Sequence, residues 1–178
     1  MYRKNANGEF LCGVLNDWDL SKLDGKDKQS LFRTATRAFL ATDLLLGGEA
    51  VHFERHDWES NFYVLVWITT RYENKKEVKT DDLLDWTDFG DKPSRNAKLA
   101  YLHDFDARPR LRPMYEALNK HWIIPLAMLL MKGLDERSTC RTLGLSQEST
   151  EDAESLFGYV TYEKLWAILK KDLPEPST

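Results

Sequence analysis

Side chains that could carry chemistry are sparse in this chain of 178 residues. Its histidines have no second ligand at metal-binding spacing, and neither Cys12 nor Cys140 stands in a recognisable nucleophile context. The sequence also contains no Gly-x-Ser-x-Gly elbow, the turn that exposes the serine of many hydrolases. A zinc module, a disulfide scaffold and a serine or cysteine hydrolase therefore have no support.

Two polar segments in the first quarter of the chain remain as candidates. One is an acidic turn with Asp17 and Asp19, which follows an apolar run at residues 10–15. A turn of this kind is usually solvated, and it can also hold a cation. The other segment has hydroxyl groups beside arginines, and a phosphate on Thr34 or Thr36 could pair with Arg37 and order the loop. The residue types alone leave both possibilities open.

Composition limits the class of protein. The chain has 25 Lys and Arg against 29 Asp and Glu, a net charge of −4 and a pI near 5.6, which argues against a general nucleic-acid binder. A hydrophobic content of 42% is sufficient for one packed domain or a large part of one. No apolar run reaches the roughly 20 residues that span a bilayer, and none has signal-peptide character. We therefore expect an intracellular protein, cytoplasmic or nuclear, with no membrane contact.

Hydrophobic periodicity predicts a mainly α fold that begins with a small β-hairpin. Residues 2–4 and 10–15 flank Asn7-Gly8, a pair suited to tight hairpin turns. The strongest helix is predicted at 57–71, where apolar residues occupy nearly every face, so this helix should be buried. Other helices are predicted at 33–48, at 96–103, at 114–132 with a kink or break at Pro125 and a stop at Gly133, after Thr150, and at 162–171.

Three short segments, in this order, resemble parts of the C-terminal lobe of a eukaryotic-like protein kinase. Residues 13–21 are similar to the D-F-G motif, and this resemblance makes Asp17 the magnesium ligand, Trp18 the hydrophobic plug and Asp19 the replacement for glycine. Residues 33–44 resemble the end of an activation segment. There Thr34, Thr36 and Arg37 would belong to the substrate-facing loop, and Asp43 would replace the acidic member of A-P-E.

The third segment, residues 56–65, resembles the start of the buried central helix of that lobe. It is close to the D-L-E-S-x-x-Y-V-L pattern of casein-kinase-type enzymes, in which Asp57 would brace the catalytic loop through backbone N–H groups. The three segments together are similar to the fungal-type protein kinase family, which often carries the same Trp-Asp variant. The resemblance is good from Met1 to about Trp67 and fades after about Lys132.

This resemblance implies a domain organisation. Residues 1–173 would form a partial kinase-like domain without an N-lobe, with a hairpin at 1–16, an activation-segment-like stretch at 17–46 and a helical part at 56–173, followed by a tail at 174–178. In the family the hairpin directly follows the catalytic loop. The chain is therefore expected to start just after that loop.

The sequence lacks most of the parts that phosphoryl transfer requires. It has no Gly-rich loop, no strand lysine before Asp17 and no H-R-D-x-x-x-x-N loop. An intact relative would use ATP and Mg²⁺ to transfer phosphate to Ser or Thr. This chain alone is expected to be inactive and to bind ATP and Mg²⁺ only weakly. We expect its partner to be another protein or a missing N-terminal kinase portion.

Two rival interpretations stay open. One is a non-catalytic kinase-like interaction module that presents the activation-segment surface and the basic cluster at residues 108–112 to a partner. The other is an unrelated helical domain. If the chain is a fragment, the helix at 57–71 should leave a large apolar patch exposed.

Overall fold

The computed structural model describes residues 2–4, 10–13, 36–46, 51–87, 89–104, 108–109, 111–144 and 148–170. They belong to two units, Met1–Arg33 and Thr34–Thr178. In the first unit, strands β1 (Tyr2–Lys4) and β2 (Phe10–Gly13) pair antiparallel, with Tyr2 opposite Gly13. This pairing confirms the predicted hairpin.

The second unit is built from helices, so the mainly α fold class is confirmed. Its long helices are α1 (Glu54–Arg71), α2 (Asp91–His103) and α4 (Ile124–Leu143), and its shorter ones are α3 (Glu116–Leu118), α5 (Thr150–Ser155) and α6 (Tyr162–Leu169). Strands β3 (Tyr72–Glu73) and β4 (Lys76–Glu77) form a second small hairpin. Single 3₁₀ turns occur at Arg37–Phe39, Leu44–Leu46, Leu84–Trp86 and Pro113–Tyr115. No helix in the described part of the chain is long and apolar enough to cross a membrane.

Helix α1 begins slightly earlier than predicted. The Phe53 backbone N–H donates to His56 Nδ1 at 3.0 Å, which satisfies a donor that the start of the helix would otherwise leave unpaired. Glu54 and Asp57 lie in the first turn, where negative charge is favoured by the helix dipole.

Four aromatic rings form the centre of the core. Phe62, Tyr63, Trp86 and Tyr101 contact one another edge to face, with ring centroids 5.1 to 6.2 Å apart. All four are at least 95% buried. Aromatic pairs in this geometry are worth about 0.5–1.5 kcal/mol beyond the area they bury. The cluster joins α1 to α2 and to the turn at Leu84–Trp86.

The predicted helix stop at Gly133 is wrong. Helix α4 continues to Leu143 and ends at Gly144, whose φ of 62° provides the left-handed cap. Gly133 is instead a contact point, because a Cβ there would lie 2.7 Å from Leu156 Cβ. Upstream, a π-helical turn at Asn119–Ile123 runs directly into α4, so Pro125 follows an irregular turn in a chain that stays helical.

Three other local predictions also differ from the structure. The predicted helix at 33–48 is replaced, within the described residues, by the turns at Arg37–Phe39 and Leu44–Leu46. Hairpin β3–β4 was not predicted, because its turn uses Asn74 and Lys75 at positive φ instead of Asn-Gly. Helix α2 begins at Asp91 instead of residue 96, since Pro93 is tolerated in a first turn.

Candidate functional site

Three of the predicted site residues lie on one segment, residues 36–46, which we call the anchored segment. They are Thr36, Arg37 and Asp43. Asp57 is described in α1, whereas Asp17, Trp18, Asp19 and Thr34 lie outside the described residues. The anchored segment packs on both α1 and α2.

Asp43 is the centre of a buried ionic cluster. Its Oδ2 accepts a bond of 2.6 Å from Arg55 Nη2 on α1 and another from Arg137 Nη1 on α4. Arg55 also donates through Nε to the Ala153 carbonyl of α5 at 2.5 Å, and Arg137 pairs with Glu148. The Asp43 carboxylate thus joins the anchored segment to α1 and α4, and Arg55 extends the cluster to α5.

The charge state of Asp43 follows from these partners. Burial by itself would raise the pKa of the carboxyl, but the His56 ring and the guanidinium groups of Arg55 and Arg137 hold it well below its usual range. His56 Nε2 lies 3.7 Å from Asp43, which is long for a hydrogen bond, so the arginines are the direct partners. Burial lowers the pKa of His56, and this ring accepts through Nδ1, so the neutral form suits its position.

Glu59 binds Thr42, the residue that precedes Asp43 in the anchored segment. Its Oε1 accepts from the Thr42 backbone N–H and the Thr42 hydroxyl, both at 2.8 Å, and from the Tyr63 hydroxyl at 2.9 Å. Glu59, Thr42 and Tyr63 are fully buried. Burial and the negative charge of Glu59 raise the pKa of Tyr63 well above 10.0, so the phenol stays a donor.

Lys98 of α2 holds the other end of the segment. Its Nζ donates to the carbonyls of Arg37 at 3.0 Å and Leu40 at 2.5 Å, and it lies 4.4 Å from the centre of the Tyr63 ring. The side chain is fully buried. Burial lowers the pKa of Lys98 to about 7, against a smaller opposing effect of Glu59.

Thr36 and Arg37 lie at the exposed N-terminal end of the anchored segment. Arg37 donates through Nε to Asp91 and through Nη1 to the Thr87 carbonyl, each at 2.9 Å. Thr36 is exposed, and its side chain makes no capping bond to the turn that follows. A rigidly held turn therefore presents a threonine hydroxyl to solvent.

An apolar cavity of about 740 Å³ opens beside this segment. It is lined by Phe39 of the segment, by Val64, Trp67 and Ile68 of α1, and by Met114. Phe39 contacts Trp67 edge to face at 5.7 Å. Ile68 is 41% exposed, so one face of α1 is less covered than its sequence predicts.

Comparison with known proteins finds a match for the N-terminal part of the chain. Residues 1–69 match the family model of fungal protein kinase. The match covers less than half of the chain and supports the family resemblance that the motifs indicate. It covers the anchored segment and most of α1, whereas Lys98 and Arg137 lie beyond it. No curated protein and no solved structure matches the chain.

Asp57, which the resemblance to the fungal protein kinase family assigns to bracing a catalytic loop, faces solvent. Its side chain is 66% exposed and lies 3.3 Å from His52 Nε2. The hydrogen bond with Asp57 raises the pKa of His52. The bracing role of Asp57 stays a prediction.

A kinase of this family would need metal ligands. Within the described residues, no group of three or more His, Cys, Asp or Glu side chains could hold a metal ion. The predicted ligand Asp17 lies outside the described residues.

Sequence reasoning missed the side chains of α1, α2 and α4 that bind the anchored segment. Motif spacing predicts no role for Arg55, Glu59, Lys98 or Arg137, although Glu59 lies within the kinase-like helix motif at residues 56–65. A signal was present for Lys98. It shares a helix face with Tyr101 and Leu102, where an apolar residue is expected.

Proposed function

We propose that this chain is a kinase-like lobe that holds a substrate-side segment in place and does not transfer phosphate by itself. The observation that supports this proposal is the anchoring of residues 36–46. Asp43, Thr42 and the carbonyls of Arg37 and Leu40 are all bound by buried side chains of the helices. This anchoring leaves Thr36 exposed.

The absence of transfer follows from the chemistry of the reaction. Phosphoryl transfer depends on a phosphate cradle, metal ions and a positioned base acting together. Asp17 is one carboxylate and cannot replace the missing Gly-rich loop, strand lysine and catalytic loop. In an intact parent kinase, ATP and Mg²⁺ would bind next to Asp17, and Thr34, Thr36 and Arg37 would face a protein substrate. For this chain alone we expect only feeble, magnesium-dependent nucleotide binding.

Labelled ATP tests this proposal directly. The purified chain is incubated with ATP labelled at the γ-phosphate, Mg²⁺ and a general Ser/Thr substrate protein, next to the Asp17→Ala variant. We expect the two proteins to give the same background signal. Transfer by the wild type that Asp17→Ala abolishes would show that the chain is an active kinase.

A second candidate function is protein binding by the same lobe. The exposed Thr36 and the apolar cavity that Phe39 lines favour it, since both residues belong to the anchored segment. The basic cluster is a weaker candidate for the contact. Arg108 donates to the carbonyls of Tyr101 and Leu102, and Arg112 donates to that of Thr70, so both guanidinium groups bind helix ends.

A further inference from the structure

His103 joins the last turn of α2 to α4. Its Nδ1 lies 2.8 Å from the carbonyl oxygen of Leu99, one turn earlier in α2, and its Nε2 lies 2.7 Å from Oδ1 of Asp135 on α4. The side chains of His103 and Asp135 are 41% and 55% exposed, so the ring can exchange protons with solvent. Both ring nitrogens are thus engaged at the solvent-facing edge of the contact between the two helices.

Both oxygens that His103 contacts are hydrogen-bond acceptors. A carbonyl oxygen has no proton to donate, and neither has an ionised carboxylate. A neutral imidazole carries one N–H, so it can donate to one of the two oxygens and turns a lone pair towards the other. The imidazolium form donates through both nitrogens. Both contacts are therefore satisfied only when the ring is protonated.

The position of His103 at the end of α2 also favours a positive charge. The C-terminal end of a helix is the negative end of its dipole, and a cation there is stabilised. Burial by itself would lower the pKa of His103, but the bond to the Leu99 carbonyl and the bond and charge of Asp135 raise it above its ordinary value. The electrostatic surroundings thus favour the same protonation state as the hydrogen bonds.

Asp135 is the charged group that α4 places against the His103 ring. Further charged side chains lie on α4 within three residues of Asp135, or follow the end of α2. They are Lys132, Glu136, Asp104 and Arg108. Arg108 donates to the carbonyls of Tyr101 and Leu102 at the end of α2. We therefore expect Asp135 to have the largest effect on the charge of His103.

We propose that His103 and Asp135 form a pH-sensitive latch between α2 and α4, which is closed when the imidazole is protonated. The stability that the latch contributes is present below the ordinary histidine pKa of 6.5 and is lost as the pH rises through the higher pKa of the folded chain. Both helices bind the anchored segment, α2 through Lys98 and α4 through Arg137. The latch itself does not include that segment, so the proposal does not depend on the function given above.

A double-mutant cycle tests the latch in the whole chain. Urea unfolding is measured at pH 5.5 and at pH 9 for the wild type, His103→Gln, Asp135→Asn and the double variant. At pH 5.5 the pair should favour folding roughly two- to fivefold, as expected for an exposed ion pair with good geometry. At pH 9 this factor should fall close to one. All four proteins contain Lys98, so its own titration cancels in the cycle.

Titration of the histidine rings by NMR supplies a readout that packing alone would not change. The His103 signals are identified by their loss in His103→Gln. Both ring nitrogens should carry protons at pH 5.5, and Asp135→Asn should lower the pKa of the ring. Glu136→Gln is the matched control, because it removes the adjacent exposed carboxylate of the same helix, and it should leave that pKa close to the wild-type value.

Three results would overturn the proposal. The first is a coupling between His103 and Asp135 that is the same at pH 5.5 and pH 9. The second is a pKa of His103 at or below that of an ordinary histidine. The third is an equal effect of Asp135→Asn and Glu136→Gln on this pKa, which single variants show even if the double variant is too unstable to measure.

Discussion

Lys98 is a fully buried amine that serves as a structural hydrogen-bond donor. In Lys98→Met the Leu40 carbonyl loses the Lys98 donor and the Arg37 carbonyl keeps only the backbone N–H of Leu40, while the methionine fills the space of the apolar stem. Above pH 9, where the wild-type amine is largely neutral, we expect the variant to be less stable by about 1–3 kcal/mol, the cost of unsatisfied buried groups. Urea unfolding measures this difference.

The pH dependence of stability identifies the same group. The pKa of Lys98 is about 7 in the folded chain, compared with 10.5 for an ordinary lysine side chain. Between these values the unfolded chain holds the proton more tightly, so wild-type stability rises with pH, by up to about 1.4 kcal/mol per pH unit. Below about pH 7 both states are protonated and the slope vanishes.

The exposed Lys92, on the same helix, supplies the control. Lys92→Met should keep the rise in stability above pH 7, and Lys98→Met should lose it. Parallel pH profiles for the wild type and Lys98→Met would contradict this assignment.

The sequence allowed the anchored segment to be predicted as a site, but not the side chains that bind it. Asp43 was singled out by its place in a motif, and the structure puts it among Arg55, His56 and Arg137. The partners of Asp43 could not be predicted, because Arg137 is distant in sequence. For Lys98 the helix face that it shares with apolar residues indicates burial but not which carbonyls it binds. Burial of charge depends on tertiary packing, which local spacing does not encode.

At the scale of elements, Gly133 shows where local rules fail. A glycine after an apolar helical run predicts a helix end, yet here it allows α4 to approach the turn at Leu156. Hairpin β1–β2 and helix α1 were predictable because Asn-Gly turns and apolar periodicity are local. Hairpin β3–β4 was not, since Lys75 adopts a φ of 65° that lysine rarely takes.

Gly133→Ala measures this close approach. A Cβ at position 133 would lie 2.7 Å from Leu156 Cβ and 3.0 Å from its carbonyl oxygen, so α4 and the turn must separate. We expect a loss of about 1–3 kcal/mol from overpacking, which exceeds the gain of about 1 kcal/mol in helix propensity. Ser138→Ala, at an exposed site of the same helix, should be neutral or slightly stabilising in the same thermal melts. A stabilised Gly133→Ala variant would mean that the contact has room to spare.

At the scale of the whole molecule, the exposed apolar face of α1 should determine how the chain binds hydrophobic dyes and how it melts. Its sequence is apolar on nearly every face, but Val64, Trp67 and Ile68 line an open cavity of about 740 Å³. Exposed apolar surface of this kind binds hydrophobic dyes and lowers the cooperativity of melting. We therefore expect the chain to bind 8-anilinonaphthalene-1-sulfonate, as a lobe that awaits a covering partner or a missing kinase portion would.

A double variant and a control variant test whether the dye binds in this cavity. Ile68→Ser with Met114→Ser, both at exposed positions of the cavity, should lower dye fluorescence at least about twofold, because each change removes apolar area from one site. Leu143→Ser removes a side chain that is 63% exposed at the end of α4 and should leave the fluorescence unchanged. A cooperatively melting wild-type chain that binds no dye would instead favour a self-contained interaction module, in which the cavity needs no cover and the anchored segment is the surface offered to partners.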